Sequence, residues 1–140
     1  MGRPRSFDET AAVAQAATLF ADRGYEGTSI DDLVHALGIH RGSLYSTFGS
    51  KRALYLRVLR GHVADLGAPG RPADLTLLLR AAVERAPADP DAAELVTAGF
   101  ATLARHLADG PDGRPAALAQ LLGEHLIRRA TAPTATQEET

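Results

Sequence analysis

Apolar residues along this chain return at helical spacing in seven stretches, with glycine or proline breaking the pattern between most of them. In residues 28–38 (TSIDDLVHALG), Ile30, Leu33, Val34 and Leu37 follow the i, i+3, i+4, i+7 order of one buried face. Thr28 stands at the N-cap, and Asp31 falls three positions later, at capping-box spacing. Gly38 follows the last apolar position, where a left-handed residue ends a helix without strain. After the Leu37-Gly38-Ile39 turn, a second short helix runs from about His40 to Phe48, with Leu44 and Phe48 on its core face. Helices this short do not fold alone. Packed together they make a helix-turn-helix, whose second helix can enter the DNA major groove.

The flanking stretches read as support. A helix is predicted from about Asp8 to Arg23, striped by Val13, Ala16, Ala17 and Phe20 and ended by Gly24, with Tyr25 tucked beneath it. Ser50 caps a longer helix over about 51–66, carrying Leu54, Leu56, Leu59, Val63 and Leu66. Further helices are predicted over about 73–85 (Leu75, Leu78, Leu79, Ala82, Val83), 91–108 (Leu95, Val96, Phe100, Leu103, Ala104, Leu107) and 115–130 (Leu118, Leu121, Leu122, Leu126, Ile127). The expected fold is all-α, about seven helices: a helix-turn-helix DNA-binding domain over 1–50, then a short helical dimerisation and regulatory domain over 51–131. Helix 51–66 connects the two, and the Thr/Ala/Glu-rich tail 132–140 is expected to be disordered.

The polar positions of the second short helix give the interface chemistry. Gly42 inside a helix costs about 1 kcal/mol relative to alanine, a cost that makes sense where a side chain would hold the backbone off a partner. Arg41 can donate bidentately to guanine, Ser43 and Thr47 can contact bases or phosphates, and Tyr45 offers a phenol to a phosphate oxygen. Lys51, the chain's one lysine beside fourteen arginines, opposes the dipole of the helix it begins. A phosphate bound at that helix start resolves the conflict. Arg3 and Arg5 flank Pro4 in an arm suited to a DNA minor groove.

Composition narrows the alternatives without deciding among them. With 140 residues and no cysteine, disulfides and thiolate metal sites are excluded. No apolar run approaches the roughly 18 residues of a membrane span, and the start lacks a signal-peptide core, so a cytoplasmic protein away from membranes is expected. The net charge of −2 divides into about +2 over residues 1–60 and about −4 over 61–140, a mild asymmetry compatible with a basic face. The five histidines have no ligand-like spacing, and no nucleophile motif or phosphate loop occurs. No catalytic residue, metal or cofactor is therefore assigned, and an enzyme is not expected.

The segments GRPRSFDET, AATLFADRGYEGTSIDDLVHALGI, RGSLYSTFGSK and RALYLRVL, over about residues 2–60, resemble the TetR family of bacterial transcriptional regulators. The resemblance implies Thr28 or Ser29 touching phosphate, Arg41, Gly42 and Ser43 facing bases, and Tyr45, Thr47 and Lys51 on the DNA backbone. His40 stands where the family often has a serine cap, which predicts a looser helix start or a pH-dependent contact. Thr47 departs from the family's common histidine or aromatic residue. The second half resembles the family only weakly and is short. By helix position, Leu103, Leu107, Leu118, Leu122 and Leu126 are the expected dimer contacts, and His62, Thr97, Phe100 and His106 the expected effector contacts. The reading is a homodimeric repressor on a palindromic double-stranded operator, released by a small-molecule effector or acting by occupancy alone. The alternative is a shortened interaction module that heterodimerises or binds no DNA.

Overall fold

A computed structural model of the chain describes residues 7–68, 74–109 and 117–132. Arg3, Arg5 and the tail beyond Ala132 lie outside the described residues. Seven α-helices and no strand occur within them: α1 Glu9–Arg23, α2 Ile30–Leu37, α3 Arg41–Phe48, α4 Lys51–Asp65, α5 Thr76–Arg80, α6 Pro90–Ala108 and α7 Ala117–Thr131. None is long and apolar enough to cross a membrane.

Local chemistry accounts for the helix starts. Asp8 accepts from the backbone N–H groups of Thr10 and Ala11 at 2.9 and 3.2 Å, which sets the start of α1. Helix α2 begins one residue later than predicted. Thr28 is fully buried, its hydroxyl donating to the Gly24 carbonyl at 2.7 Å, so it cannot cap. Ser29 caps instead: its hydroxyl accepts from the Asp32 N–H at 3.0 Å, while the Asp32 carboxylate accepts from the Ser29 N–H at 2.8 Å. The Ser29 hydroxyl, donating to that carboxylate at 2.7 Å, and the Ser29 N–H together hold the Asp32 carboxyl below its usual value. Gly38, at φ +63°, ends α2 in the left-handed region that the tight turn into α3 requires.

The core under these helices is continuous. Ala12, Ala16 and Phe20 of α1 meet Leu33 of α2, Leu44 and Phe48 of α3, and Leu54, Tyr55, Val58 and Leu59 of α4. Phe20 and Tyr55 meet edge to face at 5.1 Å, and Tyr25 closes the cluster 5.0 Å from Tyr55. Burial pushes the Tyr55 phenol up to about 12. The apolar stripe of α4 hid Tyr55 and Val58, which are deeper than the predicted Val63 and Leu66.

In the second half the predicted 73–85 helix divides. After Arg80 the chain winds as a π-helix over Ala81–Arg85 and then as a 3₁₀ turn over Ala86–Ala88. The wider i→i+5 winding shifts the phase of the side chains. Leu75, Leu77, Leu78 and Ala81 are buried, and Val83, predicted inward, is 77% exposed. Helix α6 packs so closely that a Cβ on Gly99 would stand 2.8 Å from a Leu78 methyl and 3.3 Å from a Val63 methyl. Leu103, expected at a dimer contact, is 4% exposed and belongs to this core, on the same face as Ala92, Val96 and Gly99.

Candidate nucleic-acid interface

Helix α3 has two sharply different sides. Leu44 and Phe48 are buried, which fixes its rotation against α2 and α4. His40, Arg41, Gly42 and Tyr45 are exposed on the other side, and Ser43 and Thr47 are half-buried at its margins. Tyr45 is 43% exposed, unusual for an aromatic ring in a chain with few of them. A Cβ added at Gly42 would meet nothing within 4 Å. Nothing inside the molecule therefore demands glycine there, and the helix backbone lies open to whatever approaches.

His40 occupies the N-cap of α3 and makes no side-chain cap hydrogen bond, as its unusual identity at that position predicts. The first turn of α3 thus keeps unpaired N–H groups at its positive end. Arg41 pairs with Asp31 of α2, whose carboxylate is largely exposed. Ser29 is exposed beside them, its oxygen engaged in the capping box. Thr28, expected with Ser29 at a phosphate, lies sealed beneath the surface, and of the two only Ser29 is exposed.

Lys51 is half-buried, and its ammonium lies 4.3 Å from the centroid of the Tyr25 ring. Arg85 shares the ring, its guanidinium carbon 4.2 Å from the centroid. Ser50 caps α4 beside them, its hydroxyl accepting from the Ala53 N–H at 3.0 Å. Lys51 is thus a seated cation at a helix start.

The expected effector residues do not gather. His62 lines a half-open cavity of about 610 Å³ between α1 and α4, with Val13, Ala17, Val58, Asp65 and Asp74 among its other walls. The Thr97 hydroxyl is spent on the Ala93 carbonyl at 2.8 Å within its own helix, and Phe100 packs against the core. His106 is exposed, with Nδ1 2.9 Å from the Thr102 carbonyl. They do not meet because His62 belongs to α4, while Thr97, Phe100 and His106 are spread along α6.

Among the expected dimer residues, Leu118 and Leu122 pack partly against the core, Leu107 is half-buried, and Leu126 is 54% exposed. Ile127 stands beside it at 66%. Leu126 and Val83 line a second, shallower cavity of about 300 Å³ with Thr76, Leu79 and His125. Among the described residues, no cluster of three or more histidine, aspartate or glutamate side chains is arranged to hold a metal ion.

Residues 12–58 match the family model for the bacterial regulatory proteins of the tetR family. That match takes in about a third of this chain, in its amino-terminal part, which is similar to that family. The uncharacterised HTH-type transcriptional regulator YezE of Bacillus subtilis is 44% identical over 63 residues, 45% of this chain and 32% of that protein. The HTH-type transcriptional repressor BdcR of Escherichia coli is 40% identical over 68 residues, 49% of this chain and 34% of that protein. These matches take in about a third of each relative's length. The crystal structure of the TetR-family transcriptional regulator PfmR from Thermus thermophilus aligns with 89% of this chain and 71% of its own, at 29% identity and a TM-score of 0.41. The matched segment holds most of α1, all of α2 and α3 and about half of α4, and so every described residue of the exposed α3 strip.

Proposed function

We propose that this chain is a DNA-binding transcriptional regulator that lays the exposed side of α3 into a major groove. The observation that carries the reading is the pairing of a buried Leu44–Phe48 side with an open side bearing Arg41, Gly42 and Tyr45, where glycine has no internal purpose. Arg41 reads a base edge, Gly42 lets the helix approach, and Tyr45, Ser43, Thr47 and Ser29 hold sugar and phosphate. His40 stays available at the helix start. Lys51 adds a phosphate contact at the start of α4.

The chain acts in the cytoplasm as a homodimer, because two recognition helices one DNA turn apart read a near-palindromic operator. Leu126 and Ile127, exposed on α7, supply the apolar surface for a second copy, with Leu107, Leu118 and Leu122 behind them. Repression follows from occupancy of the operator, and BdcR bears the name of a repressor. With the four expected effector residues scattered, no effector is needed in this reading.

Selection of bound sites from a random DNA pool tests it. Paired half-sites about one turn apart are expected. Arg41→Ala should relax choice at one base position, at a cost of about 1–3 kcal/mol for the preferred base. No enrichment at any salt concentration would leave the interaction module as the better account. That rival has one observation in its favour: Arg41 and Lys51 already have partners within the chain.

A further inference from the structure

Asp89 is 2% exposed and joins three elements. As N-cap of α6 it accepts at Oδ1 from the Asp91 N–H at 3.2 Å. Arg52, in the first turn of α4, grips it with a fork: Nε donates to Oδ2 and Nη2 to Oδ1, both at 2.8 Å. Arg85, at the end of the π-helical turn, donates to Oδ2 at 2.9 Å. These arginines hold the Asp89 carboxyl far below the usual carboxylate range.

Capping alone does not explain such a carboxylate, since asparagine or serine caps a helix about as well. The arginines lead elsewhere. Arg52 adjoins Lys51 in the chain, and Arg85 lies over the ring that Lys51 occupies. Two cations on one ring repel each other, and Asp89, together with Glu26 at 3.4 Å from Arg85, offsets that repulsion. By both routes the carboxylate bears on the seat of Lys51.

We propose that Asp89 is a positioning residue for the nucleic-acid face: through Arg52 and Arg85 it fixes Lys51 on Tyr25, so that the second half of the chain sets the phosphate grip of the first. The proposal rests on the DNA-binding reading above. Each phosphate contact contributes about −0.9 to the slope of log K against log salt. A misplaced Lys51 removes one such increment, whereas a merely destabilised protein loses active molecules and keeps the slope.

The test is a salt titration of the full chain against a labelled random-sequence DNA duplex, comparing wild type with Asp89→Asn. Asparagine keeps the cap and removes the charge. The variant's slope should be shallower by about 0.9, so that its deficit relative to wild type narrows about eightfold for each tenfold rise in salt. An unchanged slope overturns the proposal, whatever happens to affinity. If Asp89→Asn loses its helical circular dichroism, Arg85→Gln carries the same expectation and the same risk. Wild type that binds no duplex at low salt overturns the DNA-binding reading first and this proposal with it, an outcome distinct from equal slopes.

Discussion

Helices α1 and α7 are both 15 residues long, and both show apolar positions at helical spacing. Their fates differ. Helix α1 starts on an aspartate cap, buries Ala12, Ala16 and Phe20, and ends at a glycine at φ +77°. Helix α7 has no buried residue, and two of its largest apolar side chains, Leu126 and Ile127, are more than half exposed. Spacing tells which face of a helix is apolar. It does not tell whether that face finds a partner within the same chain.

The largest expected effect tests this contrast directly. Phe20→Ala removes a ring with no exposure that touches Tyr25 and Tyr55, and should destabilise the fold by about 3–5 kcal/mol. Leu126→Ala, in dilute protein, should stay within about 0.5 kcal/mol. Urea melts of both variants at one low concentration make the comparison. Repeating Leu126→Ala at high concentration sharpens it: a deficit that grows with concentration is the mark of a surface covered by a second copy. Equal effects from the two variants would show that α7 is packed as tightly as α1.

The same division explains how far the sequence could be read. Leu44, Phe48, Phe20 and Gly38 were legible because their causes are local: a period, a cap, a positive φ. The shift from Thr28 to Ser29 was not, since both hydroxyls suit a cap and only the buried contact with Gly24 separates them. Val83 was misplaced because nothing in its spacing announces a π-helical turn. Asp89 was missed because its partner Arg52 lies 37 residues away. On the candidate site, exposure of Arg41, Gly42 and Tyr45 followed from the positions of Leu44 and Phe48. The pairing of Arg41 with Asp31 did not, because both belong to faces that spacing leaves polar.

A smaller effect separates α4 from the surface around it. His62 is half-buried, its Nε2 has no hydrogen-bond partner among the described residues, and desolvation holds its imidazole below the usual histidine value, against the pull of Asp74 and Asp65. Above about pH 6.5 the imidazole is neutral folded or unfolded and contributes nothing. Below it the unfolded chain takes up a proton that the folded chain resists, so stability falls as the pH drops towards the depressed folded value. The carboxylates with lowered values, Asp32, Asp74 and Asp89, act in the same direction but in a more acid window, stabilising the fold above about pH 4 and losing that contribution in stronger acid. Thermal melts between pH 7 and 5 should therefore show a decline of a few degrees in wild type that His62→Leu abolishes. A decline of the same size in the variant would assign it to other groups.

The smallest effect concerns the two short helices themselves. Arg41 and Asp31 form a pair whose side chains are 56% and 80% exposed, so the attraction is worth at most about 1 kcal/mol. Asp31 also sits in the first turn of α2, where its charge favours the helix dipole by a few tenths of a kcal/mol. Asp31→Asn should therefore lower thermal stability slightly. On DNA the same change acts in reverse. It releases Arg41 from an internal partner and removes an anion that faces phosphates, and affinity should rise by about two- to fivefold. Stability and affinity moving in opposite directions is the signature, read by a melt and a binding titration on one preparation. If affinity falls together with stability, Asp31 orients Arg41 for base contact and does not compete for it.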